Sequence, residues 1–139
     1  MPIAIESEHV ELSRSVKNLL EKVAPPEVLH AALEAPVQNP PVYWRGAVEQ
    51  GLQGLHLSES VDGQGAGLLE LAVVIAEFGY AAAPGPFVGS AIASALISAH
   101  DQDAAVLRGL AAGETIAAYA LESELTAARN GDTLTIRGE

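Results

Sequence analysis

Residues 68–99, LLELAVVIAEFGYAAAPGPFVGSAIASALISA, decide the fold. Leu68 to Phe78 is apolar except for Glu70 and Glu77, which lie seven apart and so share one face of a helix. Phe87 to Ala99 carries Ser90, Ser94 and Ser98 at i, i+4 and i+8 in an otherwise apolar run. Gly79 and the Ala83-Pro84-Gly85-Pro86 stretch break the chain between the two. Leu71 to Ala99 totals 29 residues, but Glu77 and two prolines interrupt it. Each apolar run is shorter than the roughly 20 residues a bilayer requires. Two buried core helices follow, the first with one narrow polar edge.

Upstream, Leu12, Val16, Leu19, Leu20 and Val23 form one stripe of a helix over Glu8–Val23. Ser7 is positioned to cap it, Glu8 and Glu11 favour its positive end, and Pro25-Pro26 stops it. A short helix is expected from Pro26 to Glu34, then a loop from Pro36 to Pro41. Trp44, Ala47, Val48, Gly51, Leu52 and Leu55 predict the next helix, with fraying or a close approach at Gly51 and Gly54. Leu55-His56-Leu57 reads as strand-like, and SESVDGQGAG, residues 58–67, as a loop.

Downstream, Asp101 is expected to cap a last helix through Ala112, with Gly113 just past its end. Ile116–Leu121 and Thr133–Arg137 predict strands, with Asn130-Gly131-Asp132 as a turn between them. Two strands make no stable sheet alone. The expected fold is mainly α: a helical domain over 1–113, then the first strands of an incomplete β-domain over 114–139.

The 139 residues suit one domain, and 49% apolar against 18% charged residues rules out wholesale disorder. Seven Lys+Arg against 18 Asp+Glu give a net charge of -11, and no basic residue lies between Arg45 and Arg108. Such a chain has no basic face for nucleic acid or for anionic lipid. Cysteine is absent, which removes disulfides and thiolate chemistry. The N-terminus, MPIAIESEH, lacks a basic and an apolar signal region, so a cytoplasmic location is expected. With 25 Ala and only 4% aromatics, close-packed helices are favoured.

Candidate chemistry is sparse. Gly63-Gln64-Gly65-Ala66-Gly67 could cradle a nucleotide, but its G-x-G-x-G spacing suits a structural turn better. His9, His30, His56 and His100 are scattered, without helical pairing or a paired carboxylate, so no metal site is expected. No Gly-x-Ser-x-Gly occurs. Glu70 and Glu77, about 10 Å apart along a helix, could form an acid/base pair, or be solvated or salt-bridged. The small face bearing Ser90, Ser94 and Ser98 admits a neighbouring helix or a ligand.

Taken in order, Trp44-Arg-Gly-Ala47, Glu49-Gln-Gly51-Leu-Gln-Gly54-Leu55-His-Leu57, Asp62-Gly63-Gln64-Gly65, Leu69–Gly79, Ala83-Pro84-Gly85-Pro86-Phe87 and Leu110-Ala-Ala-Gly113-Glu114 resemble the N-terminal part of an acyl-CoA dehydrogenase. The Pro-Gly-Pro-Phe and Asn-Gly-Asp segments look most like actinobacterial members, some of which act on CoA thioesters of steroid side chains. The resemblance implies a helical bundle, a β-domain and a second helical bundle, assembled as homo- or hetero-oligomers. It implies FAD as cofactor and an acyl-CoA thioester as substrate, converted to the trans-2-enoyl-CoA. The family's catalytic base lies in the second bundle, so no catalytic residue is assigned here and the chain alone is expected to be inactive.

Ala118-Tyr119-Ala120-Leu121 resembles the family strand laid against the flavin, which makes Tyr119, Leu121 and Glu122 the implied cofactor contacts. The family continues with Thr-Glu-Pro, where this chain has Glu122-Ser123-Glu124. A carboxylate at Glu122 would repel a reduced, electron-rich flavin. Ala83, Pro84, Gly85, Phe87 and Ser90 fall where family members line the acyl pocket. The alternative is a non-catalytic helical half that pairs with a competent subunit and completes its sheet.

Overall fold

The computed structural model describes residues 5–34, 40–100, 103–120 and 124–138. Six helices lead into one hairpin: α1 (Ser7–Val23), α2 (Pro26–Leu33), α3 (Trp44–Glu49), α4 (Leu68–Tyr80), α5 (Phe87–His100), α6 (Ala104–Ala111), β1 (Thr126–Asn130) and β2 (Thr133–Arg137). The stretch 68–99 forms the two helices expected of it. No helix among the described residues is long and apolar enough to cross a membrane.

The core gathers where the apolar stripes meet. Val16 and Leu20 of α1, Leu71, Val74 and Phe78 of α4, and Phe87 and Ala91 of α5 close over Tyr43, Trp44 and Ala47. A smaller cluster joins Leu57 and Val61 to Leu107 and Ala111 of α6. Burying each Val, Leu or Phe contributes about 1.5–3 kcal/mol, so these faces orient the helices.

Several boundaries differ from expectation. Glu6, not Ser7, caps α1, because its backbone N–H donates to His9 Nδ1 at 3.0 Å. The helix expected from Trp44 to Leu55 ends at Glu49. The chain turns left-handed at Gly51 (φ 69°) and continues as a 3₁₀ turn over Leu52–Gly54. Leu52 and Leu55 still reach the core, so their apolar spacing marks burial but not one continuous helix. Leu55-His56-Leu57 forms turns, not a strand. The close approach expected at Gly54 is present: a Cβ there would lie 2.9 Å from that of Ala111 on α6.

Asp103 caps α6, its carboxylate accepting from Ala105 and Val106 N–H at 3.0 and 3.2 Å; Asp101 lies outside the described residues. Gly113 follows that helix at φ 68°, as expected. The second strand is Thr133–Arg137, as expected, but its partner is Thr126–Asn130 and not the segment beginning at Ile116. A tight turn pairs the residues that flank it at once, and Asn130 faces Thr133 across Gly131-Asp132. Ile116–Ala120 has no regular secondary structure.

Candidate functional site

The α4–α5 connection is held from below by an aromatic stack. Phe78 and Phe87 are nearly parallel, with centroids 4.3 Å apart, and Tyr43 meets Phe78 edge-on at 5.0 Å. The Tyr43 hydroxyl donates to the Pro84 carbonyl at 2.8 Å, and burial pushes its pKa well above the ordinary value. Gly85 (φ 126°) lets the loop pass closely: a Cβ there would lie 2.8 Å from both Pro41 Cγ and Tyr43 Oη. Ala83, Pro84 and Gly85 therefore sit on a braced loop. Phe87, only 2% exposed, is part of the brace. Tyr43→Phe is expected to lose about 1–2 kcal/mol in urea unfolding, since the Pro84 carbonyl is left without its donor.

The exit from α6 is fixed by three elements. Trp44 Nε1 donates to Gly113 O at 3.0 Å. Glu114 and Thr115 N–H both donate to Gly109 O at 3.0 Å. Ser90 on α5 then accepts from Ala117 N–H at 3.1 Å and donates to Ala117 O at 3.2 Å. Among the described residues, Ile116, Ala118, Tyr119 and Ala120 make no backbone hydrogen bond. Tyr119 is 40% exposed. The structure thus brings Ser90 to the segment bearing Tyr119. Leu121 and Glu122 lie outside the described residues.

Ser90 and Ser94 on α5 meet different partners. Ser90 holds a non-helical segment, while Ser94 donates to Ala91 O at 2.9 Å and meets His56 Nε2 at 2.9 Å. With the Ser94 proton committed, His56 Nε2–H is the donor there and Nδ1 is bare. That Nδ1 is buried and without a hydrogen-bond partner among the described residues. Burial lowers the His56 pKa. The unfolded chain therefore takes up a proton first, so stability is fullest above about pH 6.5 and falls as pH drops below it. Urea midpoints between pH 7.5 and 5 are expected to show this decline, and His56→Gln to flatten it.

The glycine-rich loop resolves as a turn. Gly63, Gln64, Gly65 and Ala66 N–H donate to Ser58, Gly54, Leu57 and Leu55 carbonyls at 2.8–3.0 Å, leaving none of these amides for a phosphate. Glu70 and Glu77 both reach α1 while staying partly exposed. Glu77 accepts from Ser13 Oγ at 2.6 Å, and Glu70 Oε1 lies 3.0 Å from Nε2 of His9, which is 5% exposed.

This pairing corrects the expectation that no histidine has a carboxylate partner. It joins residues 61 apart in sequence, so no local spacing announces it. Glu8, His9 and Glu70 could together face a cation. Because His9 Nδ1 accepts the Glu6 amide, however, Nε2 carries the ring proton and points it at Glu70. Backbone N–H groups at the start of α4, then His9, hold the Glu70 carboxyl below its usual pKa. A groove of about 690 Å³ between α1, the start of α2 and the end of α4 includes none of the five expected pocket residues; Ser13, Lys17, Leu20, Glu77 and Tyr80 are among those that line it.

Residues 6–114 match the family described as "Acyl-CoA dehydrogenase, N-terminal domain". The chain is 34% identical over 123 residues to the acyl-CoA dehydrogenase IpdE2 of Mycobacterium tuberculosis, covering 87% of this chain and 38% of that protein. It is 41% identical over 95 residues to the IpdE2 of Mycolicibacterium smegmatis, covering 66% of this chain and 30% of that protein. The chain thus spans less than two-fifths of the curated relatives it matches. Among solved structures, a Tcur3481–Tcur3483 steroid ACAD variant superposes with TM-score 0.85 at 27% identity, over 94% of this chain and 39% of that one. The ChsE4–ChsE5 complex from Mycobacterium tuberculosis superposes with TM-score 0.82 at 20% identity, over 99% of this chain and 40% of that one, a likeness of fold.

Proposed function

We propose, since this chain belongs to the acyl-CoA dehydrogenase family, that it is the N-terminal portion of a flavin-dependent enzyme that converts an acyl-CoA thioester to its trans-2-enoyl-CoA. One observation carries the proposal: the segment after α6 is braced through Ala117, and its backbone from Ala118 to Ala120 is left without a partner among the described residues. Free amide and carbonyl edges beside a small-residue helix suit the polar rim of a flat ring, so the residues present fit FAD. Tyr119 and the flanking backbone would hold it, joined by Leu121 and Glu122 on family resemblance. When bound, FAD supplies the hydride acceptor.

This chain's own share is binding and shaping. Residues 1–113 form the helical domain and 114–139 begin the middle β-domain. Ala83, Pro84 and Gly85 present a fixed backbone to the acyl group, with Phe87 and Ser90 supporting it from within the fold. No residue here is assigned the proton-abstracting role, and the chain alone is inactive. A steroid-type thioester is the substrate class favoured by the likeness to the steroid ACAD variant. Assembly with other acyl-CoA dehydrogenase subunits in the cytoplasm completes the enzyme.

A second reading is favoured by the hairpin. All ten residues of β1 and β2 are exposed, and Ala127, Ile136 and Leu134 share one face. Such a hairpin suits a non-catalytic half that completes a competent partner's sheet. The test is FAD content of the intact assembly, with enoyl-CoA formation from straight-chain and steroid thioesters. Flavin cross-linked or footprinted to 118–120 supports the first reading. Flavin held wholly by another subunit overturns it for the second.

A further inference from the structure

We infer that Ser90 is a positioning residue that sets the height of the flavin-facing backbone above α5. The inference rests on the flavin reading of residues 118–120 given above. A serine within a helix ordinarily returns its proton to a carbonyl of its own preceding turn. Ser94, one turn along, does this with Ala91 O at 2.9 Å. Ser90 instead spends both its donor and an acceptor site on one residue of another segment, Ala117. It is 7% exposed, so water has little access to compete for those bonds.

The paired contact does what a neighbouring strand would do: it satisfies the N–H and C=O of one residue from one side. Gly89 lies against the same segment: a Cβ there would meet Ala117 O at 3.5 Å and Ala118 Cα at 3.9 Å, ordinary contact distances. Upstream, Trp44 and Gly109 fix residues 113–115. Ser90 is thus the last clamp before the unpartnered backbone begins. Deleting its hydroxyl leaves that backbone tethered only as far as Thr115.

The experiment uses the intact assembly carrying Ser90→Ala or Ser90→Thr. In Ser90→Ala, amide hydrogen exchange at Ala117 is expected to quicken about tenfold, the scale of two ordinary hydrogen bonds lost. The visible spectrum of bound FAD is expected to shift, and its dissociation constant to rise by a similar factor. Ser90→Thr, which restores the hydroxyl, is expected to recover both. Unchanged exchange in Ser90→Ala overturns the positioning role and leaves the flavin reading standing. Faster exchange with unaltered flavin spectrum and affinity overturns the inference and counts against a flavin-facing 118–120. If Ser90→Ala does not fold, Ser90→Cys, with its weaker donor, is read by the same two measurements.

Discussion

Gly63→Ala is expected to destabilise the protein by about 3 kcal/mol or more, read as a large fall in the urea midpoint. Conformational freedom is not the cause, since Gly63 is absent from the positive-φ positions. Proximity is: a Cβ at residue 63 would lie 2.2 Å from Leu57 O and 2.4 Å from Leu57 C. A backbone carbonyl cannot rotate aside as a side chain can. Relief requires the loop to lift, which breaks the amide bonds from residues 63–66 to the preceding turn and exposes Leu57 and Val61. Gly65 is the control. It has φ 66° but only Glu59 Cγ nearby, at 3.8 Å, so Gly65→Ala is expected to cost about 1–2 kcal/mol for the left-handed backbone alone. Equal losses in the two variants would overturn this account.

Phe87→Ala is expected to cost about 3–5 kcal/mol, lowering the thermal midpoint by about 10 °C or more. The lost ring is fully enclosed and stacked on Phe78, which in turn carries Tyr43. Three consequences share that origin: a cavity, a loosened Tyr43–Pro84 bond, and a displaced first turn of α5. The last reaches the proposed site, because Ser90 lies one turn further on. Weaker acyl-CoA binding is therefore expected together with the loss of stability. A variant of unchanged stability but altered acyl preference would make Phe87 a wall of the pocket and not its support.

Much of the helical half was legible because apolar spacing and proline breaks are local signals. Leu68–Tyr80 and Phe87–His100 formed where LLELAVVIAEF and FVGSAIASALISA placed them. Departures cluster where a tertiary contact outweighed a local preference. Gly51 interrupts α3 because its left-handed turn redirects the chain, bringing Gly54 against Ala111 of α6. Thr126–Asn130, with Ala, Arg and Asn, has little strand propensity and pairs only because the Gly131-Asp132 turn delivers it to Thr133–Arg137. The small face at Ser90 was visible as a face, but nothing in the spacing of serines names Ala117, 27 residues away, as its partner. The same holds for His9 and Glu70.

The two polar contacts between α1 and α4 divide the helices unequally. His9 and Ser13 are four residues apart, a rise of about 6 Å, whereas Glu70 and Glu77 are seven apart, about 10.5 Å. Scales of different pitch coincide at one setting, as on a vernier. If α1 slid by one turn along its neighbour, at most one carboxylate could keep its mate, and the other would lose its hydrogen bond. Apolar stripes tolerate such slippage; these two bonds do not, and they make the docking of α1 discrete.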